Sequence, residues 1–276
     1  MTAAPVEIDL DAYLDRIGYT GARTPSLATL QAIHAHHVHA IPFENLDPLL
    51  QRPVRLDIPS LQQKLVHGGR GGWCFEQNLL LSHALTALGF RVTGLAARVL
   101  ANRPPDAVPP RTHMLLRVDL DAGPYLADVG FGGMSLTSPI RLASDVVQPT
   151  THEPRRLLRH DGEYVMQARV RGQWVTQYRF DLQPQRLADY ELVNWYLCHH
   201  PESHFLHRLM VARSTPSGRY TLRDNEFAHH DLQGRTERHT LTSAAELRAT
   251  LEGTFGLGLP DTPELAALLE RLSRKG

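Results

Sequence analysis

The stretch that organises this chain reads RGGWCFEQN and spans residues 70–78. Two glycines and an aromatic residue precede Cys74, and the apolar run over residues 79–88 is typical of a buried helix. The pattern therefore predicts a thiol in the first turn of a helix. Unpaired backbone N–H groups and the positive end of the helix dipole favour a thiolate at that position.

The composition predicts a soluble globular protein without a strong surface charge. Of the 276 residues, 42% are hydrophobic and 21% are charged, which is ordinary for such a chain. Lys plus Arg and Asp plus Glu both number 29, so no net charge favours nucleic acid or an acidic membrane. The amino terminus lacks the features of a signal peptide, and no apolar run reaches transmembrane length. We therefore expect a cytoplasmic protein with no nucleic-acid or membrane partner, and its oligomeric state stays open.

Periodicity divides the chain into three segments. Residues 1–88 are mainly helical, and a Thr24-Pro25 pair predicts the start of one helix. Residues 89–188 contain short β-branched and aromatic runs separated by Gly, Pro or Asp, which predicts an antiparallel sheet or small barrel. Residues 189–276 begin within a further helix and continue with short strands and two terminal helices. The sequence thus predicts an α+β fold.

The best candidate for a base is His113, which opens an apolar strand. A thiol nucleophile needs a group that takes its proton, and a histidine in that role needs a third group that orients its ring. Asp128 is an acid among apolar residues on the next predicted strand. A hairpin turn over residues 119–123 would bring Asp128 across from the start of the His113 strand. The spacing is compatible with a triad of Cys74, His113 and Asp128.

Other polar residues have simpler interpretations. Cys198 lies in an amphipathic helix without a carboxylate partner, so we interpret it as structural. The histidines of residues 34–39 and 199–207 do not come with a matching set of acids or thiols, so we expect no metal. We expect Glu44 and Arg70 to form a buried ion pair that braces the cysteine loop, and two separate surface charges are the alternative.

The cysteine stretch resembles the active-site segment of the arylamine N-acetyltransferases. The pattern of that family is Arg-Gly-Gly, then an aromatic residue, Cys, an aromatic residue, Glu, any residue and Asn. Four further segments match in the same order, and they are IPFENL at residues 41–46, His113 on its strand, DVGFGG at residues 128–133 and PESHF at residues 201–205. The chain is similar to the bacterial type of this family over residues 8–215, with Trp73 where Tyr or Phe is commoner.

The resemblance implies both a fold and a site. The implied fold is an amino-terminal helical bundle, a central antiparallel β-barrel and a carboxy-terminal α/β lid, with a core related to papain and transglutaminase-like enzymes. The implied catalytic triad consists of Cys74, His113 and Asp128. The implied apolar acceptor pocket is lined by Phe43, Val99, Phe131 and Phe205. The small residues that would let a backbone approach the coenzyme A pyrophosphate are Gly130, Gly132 and Gly133.

The implied reaction is a two-step acetyl transfer. Cys74 attacks the thioester of acetyl-CoA, coenzyme A leaves, and a small aromatic amine or hydrazine then attacks the acetyl-cysteine. His113 takes the proton from the thiol and later from the amine. Acetyl-CoA would be a co-substrate, and no metal is implied.

Two other classes of function use the same residues. An amide hydrolase or a transglutaminase-like enzyme would combine the triad with water or a lysine as acceptor. A non-catalytic binding protein would carry a degenerate triad, which the intact residues argue against. The matching segments around Phe43 and Phe131 favour the transferase.

Overall fold

The computed structural model describes residues 7–104 and 106–275. Residues 1–6, part of the stretch expected to lack a signal peptide, lie outside that description. The helices are α1 (Leu10–Ile17), α2 (Leu27–Ala40), α3 (Leu46–Leu49), α4 (Ile58–Leu61), α5 (Cys74–Ala87), α6 (Leu187–His199), α7 (Ala244–Ala249) and α8 (Pro263–Ser273). Within the described residues, no helix has the length and apolar character needed to cross a membrane.

The described residues also form twelve strands. They are β1 (Phe43–Glu44), β2 (Arg91–Val99), β3 (Arg111–Leu120), β4 (Gly123–Ala127), β5 (Ile140–Arg141), β6 (Arg155–His160), β7 (Glu163–Val170), β8 (Gln173–Phe180), β9 (Met210–Thr215), β10 (Gly218–Arg223), β11 (Glu226–Asp231) and β12 (Thr236–Thr240).

The helices of the first segment follow their capping residues. The predicted start of α2 at Thr24 is wrong, because Ser26 caps this helix by accepting the Thr29 backbone N–H at 3.2 Å. The α4 helix continues as a π-helical turn over Gln62–His67. The α5 helix is buried on most of its surface, so its apolar run shows no polar face.

The central sheet has seven antiparallel strands in the order β5-β4-β3-β2-β8-β7-β6. Its two edges approach each other, because bridges join Ser144 to Leu157 and Gln148 to Arg155. The sheet therefore forms a nearly closed barrel. Its interior is apolar and contains Leu95, Leu115, Leu126, Leu157, Met166 and Phe180. The sequence interpretation missed β6, since Leu157 is its one fully buried apolar residue.

The second sheet combines both ends of the chain in the order β1-β9-β10-β11-β12. Helices α7 and α8 cover it with a separate apolar core that includes Leu247, Phe255, Leu265 and Leu269. The histidine-rich strand β11 was not predicted, because its sequence EFAHHD lacks the alternation of a half-buried strand.

Strand β1 links this second sheet to the cysteine loop. Phe43 pairs with Ala212 of β9 on one side and bridges Gly72 on the other. The predicted α+β architecture of helices, barrel and α/β lid is thus confirmed. Because β1 lies within residues 1–88 but belongs to the lid sheet, the segment boundaries at 88 and 188 stay a prediction.

Candidate active site

Cys74 is the first residue of α5 and is buried. The preceding backbone N–H, that of Trp73, donates to Glu76 Oε2 at 3.0 Å, which fixes the entry into the helix. The Trp73 indole Nε1 donates to Asn194 Oδ1 at 3.1 Å, a hydrogen bond that a phenylalanine could not make. The loop and the helix therefore hold the thiol in a defined place.

The three residues predicted as a triad lie together. His113 on β3 is buried, and its Nε2 lies 2.8 Å from Oδ2 of Asp128, which directly follows β4. The Cys74 thiol donates a long hydrogen bond to the backbone carbonyl of Thr112, the residue before His113, at 3.7 Å, and it lies close enough to raise the pKa of His113. Since Nε2 faces the carboxylate, Nδ1 is the ring nitrogen left for the sulfur. Pairing of Leu116 with Ala127 in the β3–β4 hairpin produces this arrangement.

The charges of the site support one another. Burial alone lowers the pKa of His113, but the Asp128 carboxylate and the nearby Cys74 side chain outweigh it and raise that pKa to about 10. Burial raises the pKa of Asp128, yet His113 and the hydrogen bonds from Gly130 and Asn78 hold it below its ordinary value. At neutral pH the pair is therefore an imidazolium beside a carboxylate.

Asp128 has two further side-chain partners that the sequence interpretation missed. Asn78, one helical turn after Cys74, donates from Nδ2 to Oδ1 at 3.2 Å, and the Tyr178 hydroxyl donates to Oδ2 at 3.0 Å. Burial and the nearby Asp128 raise the pKa of Tyr178, so its hydroxyl stays a donor. The spacing of Asn78 from Cys74 could have indicated a shared helix face. Tyr178 had no such signal, because β8 lies far along the chain.

Of the three loop glycines, Gly130 is the one whose close packing leaves no room for a side chain. A Cβ atom there would lie 2.5 Å from the Cys74 Cα, so any side chain would displace the nucleophile helix. At Gly132 the φ is +78° and a Cβ would contact the Phe43 ring at 3.5 Å. Gly133 lines a cleft between the barrel and the lid sheet.

The predicted pocket residues lie in separate groups around the triad. The Phe43 and Phe205 ring centroids are 6.3 Å apart, and Phe205 lies 5.2 Å from Trp73. The Phe131 ring contacts the His113 ring edge-to-face at 5.0 Å. Val99 is the last residue of β2 and is only partly buried, opposite Tyr178.

A buried charge cluster lies under the cysteine loop. Arg70 donates from Nε and Nη2 to Glu44 Oε1 at 2.9 and 2.6 Å, and from Nη2 to Asp47 Oδ1 at 3.2 Å. Lys64 extends the cluster, with Nζ at 2.6 Å from Asp47 and 2.7 Å from Glu76. The structure thus brings Glu44 and Arg70 together. Sequence reasoning missed Lys64, Asp47 and Glu76, which connect the pair to the cap of α5.

The cleft beside Gly133 has a volume of about 610 Å³. Its walls come from the barrel and from β10 to β12, and its basic residues are Arg169, Arg171, Arg219 and Arg238, with His152 and His230. Arg219 is committed to a bidentate pair with Glu153 at 2.7 and 2.8 Å. Burial lowers the pKa of His152 and of His230, so both rings are neutral at pH 7. Arg169, Arg171 and Arg238 therefore supply the positive charge that suits the cleft to an anionic ligand.

The other candidate groups stay outside the site. Cys198 is a free, half-buried thiol whose pKa burial raises to about 11, as expected for an unreactive cysteine. Across residues 7–104 and 106–275, no group of three or more His, Cys, Asp and Glu side chains could hold a metal ion. The expectation that no metal is needed stays a prediction.

The chain is similar to known proteins in both sequence and fold. A family model described as N-acetyltransferase matches residues 26–264. An arylamine N-acetyltransferase of Escherichia coli is 45% identical over 253 residues, covering 91% of this chain and 90% of the relative. The solved arylamine N-acetyltransferase of M. tuberculosis superposes with a TM-score of 0.92 at 44% identity, covering 96% of this chain and 100% of that chain. The Mycobacterium marinum enzyme in complex with CoA also superposes with a TM-score of 0.92, at 40% identity and 96% and 99% coverage.

The matches define an acyltransferase enzyme. The chain belongs to the arylamine N-acetyltransferase family, as its cysteine stretch predicted.

Proposed function

We propose that the chain moves the acetyl group of acetyl-CoA to the nitrogen of arylamines, arylhydrazines and related aromatic amines through an acetyl-Cys74 intermediate. The observation that carries this proposal is the His113 ring, which Asp128 holds at 2.8 Å beside the Cys74 thiol, itself bonded to the carbonyl of the adjacent Thr112 at 3.7 Å. A thiol at a helix start next to an imidazolium has the environment of a nucleophilic thiolate.

The first half of the reaction loads the enzyme. The Cys74 thiolate attacks the thioester carbonyl carbon, and the tetrahedral intermediate collapses with cleavage of the carbon–sulfur bond to coenzyme A. The departing thiolate takes the proton of the His113 imidazolium and leaves as the free thiol. Backbone N–H groups near the start of α5 are the donors closest to the developing oxyanion.

The second half unloads it. The proton of His113 left with coenzyme A, and the acetylated sulfur no longer carries the charge that helps to raise the pKa of His113, so the ring stays unprotonated and can accept a proton. The amine attacks the acetyl carbonyl, His113 takes the proton from the amine nitrogen, and the Cys74 thiolate leaves. Atoms and protons then balance, and the ion pair is restored.

Aromatic side chains on both sides of the triad support an aromatic acceptor. Phe131 packs against His113, and Phe43 and Phe205 pack together next to Trp73, the residue before Cys74. Such ring surfaces favour a flat apolar molecule. An aromatic amine is neutral at neutral pH and enters such a pocket without the desolvation cost of an alkylammonium ion.

The basic cleft supports coenzyme A as the donor carrier. The M. marinum relative is described as a complex with CoA. In this chain, Arg169, Arg171 and Arg238 line a cleft that Gly133 connects to the triad loop. We assign the phosphates of coenzyme A to this cleft, with Gly130 and Gly132 shaping the loop through which the thioester reaches Cys74.

The test is to incubate the protein with acetyl-CoA and measure intact and peptide masses, then add an arylamine or a hydrazine. We expect one acetyl group on the peptide that contains Cys74, and its removal when the amine is added. The matched control is Cys198→Ser, which retains labelling, whereas Cys74→Ser abolishes it. No acetyl group, or an acetyl group retained by Cys74→Ser, would sink the proposal. Loss of the acetyl group in water as fast as with any amine would favour the hydrolase.

A further inference from the structure

One buried histidine outside the triad contacts it directly. His34, on α2, is fully buried, and its Nε2 accepts a hydrogen bond from the backbone N–H of Asp128 at 3.2 Å. The mechanism above does not use this residue. The helix α2 thereby contacts the triad through a bond of its own.

The hydrogen bond fixes the tautomer of the ring. Because Nε2 accepts, the single ring proton of a neutral His34 must lie on Nδ1. Among the described residues, that Nδ1 has no hydrogen-bond partner. A buried donor without an acceptor is unfavourable, so packing alone gives no reason for a histidine at this position.

The surroundings keep the ring neutral. Burial lowers the pKa of His34 to about 4, which the Asp128 carboxylate opposes and the neighbouring His39 reinforces. His37, on the same helix, also lies close to it. At neutral pH, Nε2 of His34 is therefore free to accept.

The bond completes the restraint of the loop after β4. Three successive backbone N–H groups are each bonded: that of Asp128 to His34, that of Val129 to Asn78 Oδ1 at 3.1 Å, and that of Gly130 to Asp128 Oδ1 at 3.1 Å. His34 holds this loop from α2, and Asn78 holds it from α5. The orientation of the Asp128 carboxylate toward His113 depends on both.

We propose that His34 is a positioning residue, which holds the main chain of Asp128 through its unprotonated Nε2 and thereby aligns the carboxylate with His113. The inference rests on the proposed function for what it predicts about acetyl transfer. The alignment of Asp128 with His113 does not depend on acetyl transfer, and the alkylation of Cys74 measures it separately.

The experiment compares three variants. His34→Leu fills a similar volume without an acceptor, whereas His34→Gln can place Oε1 near the position of Nε2. His37→Leu is the matched control, because His37 is equally buried on α2 but is bonded to the Tyr13 hydroxyl at 2.9 Å. Each variant is assayed for the rate of Cys74 acetylation and for the pH dependence of Cys74 alkylation by iodoacetamide.

We expect His34→Leu to acetylate roughly 10- to 100-fold more slowly with an unchanged KM for acetyl-CoA, since a small misplacement of a catalytic group has this scale of effect. In the pH profile of its Cys74 alkylation, the plateau that depends on a protonated His113 should end at a lower pH than in the wild type. The reason is that a displaced Asp128 raises the pKa of His113 less. His34→Gln should retain most of the rate, and His37→Leu should lower the melting temperature while keeping the wild-type profile.

Several results would overturn the inference. One is a His34→Leu variant with wild-type rate and profile, and another is a His34→Gln variant as impaired as His34→Leu, which would indicate packing alone. If His34→Leu does not fold, ¹⁵N NMR of the histidine-labelled wild type decides, since a proton on Nε2 of His34 contradicts the inference and a proton on Nδ1 supports it. A wild type that alkylates as expected but is never acetylated would refute the proposed function and leave the positioning role standing.

Discussion

The substitution Asp128→Asn removes one charge from the triad and nearly preserves the shape of the side chain. Oδ1 accepts from Asn78 Nδ2 at 3.2 Å and from Gly130 N–H at 3.1 Å, so the amide oxygen of the new residue is needed there. The amide NH2 then takes the position of Oδ2, opposite His113 Nε2 and the Tyr178 hydroxyl. Because the NH2 group donates, Nε2 must accept, and the ring proton moves to Nδ1.

That change leaves His113 unable to serve Cys74. With Asp128 in place, burial is outweighed and the pKa of His113 rises from 6.5 to about 10. A rise of this size corresponds to roughly 5 kcal/mol in favour of the imidazolium. Without the carboxylate charge burial prevails, the ring is neutral at pH 7, and its proton faces the sulfur. Loss of a correctly oriented histidine in such triads costs about 10⁴-fold in rate, so we expect roughly a 10³- to 10⁴-fold slower acetylation.

The assay is a single-turnover measurement of Cys74 acetylation by acetyl-CoA at pH 7, quenched in acid and read by mass spectrometry. Asp121→Asn is the matched control, because it removes the same charge from the same hairpin. Asp121 is exposed in the turn between β3 and β4. A parallel NMR titration of His113 should show its midpoint falling from near 10 to below 6.5. Circular dichroism should show an intact fold.

Two outcomes would refute this reasoning. One is an Asp128→Asn protein that acetylates within about tenfold of the wild type, since the expected loss is far larger. The other is a slow variant whose His113 still titrates near 10, because the carboxylate would then not be the source of the raised pKa.

Three further outcomes are expected. Arg70→Met leaves buried carboxylates without their partner and should lower the free energy of unfolding by about 3–5 kcal/mol. The control Arg23→Ala breaks an exposed ion pair and should lower it by less than about 1 kcal/mol. Equal losses in urea titrations of the two variants would contradict the buried role of Arg70. Gly130→Ala places a methyl group 2.5 Å from the Cα atom of the nucleophile and should abolish acetylation, whereas Gly253→Ala, with open space around it, should be active in the same assay. Because the folded-state pKa of His113 lies above 6.5, its stabilising contribution is complete below that pH and is lost as the pH rises toward about 10. The melting temperature should fall over that window more steeply in the wild type than in His113→Gln.

Local patterns predicted the fold class and the position of the thiol. Cys74 begins α5 because Gly71 and Gly72 are poor helix formers and Glu76 caps the first turn, and all of this lies within one short stretch. The strands that carry His113 and Asp128 are consecutive and form a hairpin, so alternation and a turn signal were sufficient to place them side by side.

The missed features depend on contacts between distant residues. Tyr178 reaches Asp128 from a strand 50 residues further along the chain, and His34 reaches it from a helix 94 residues earlier. Strands β6 and β11 carry Arg and His at positions where propensity favours other residues, and their neighbours in the sheet impose the extended conformation. None of these partners leaves a signal in the local sequence.

The pairing of β1 with β9 sets the order in which the active site can be built. Met210 donates its backbone N–H to Asn45 Oδ1 at 2.7 Å across a separation of 165 residues. During synthesis on the ribosome, the strand that supports Gly72 and the cysteine loop therefore lacks β9, its sheet neighbour on the other side, until most of the chain has emerged. Such a contact is slow to form because a long loop must close first. A nascent chain that is released early would expose the thiol on an incomplete support, so reactivity of Cys74 should appear only after β9 has been translated.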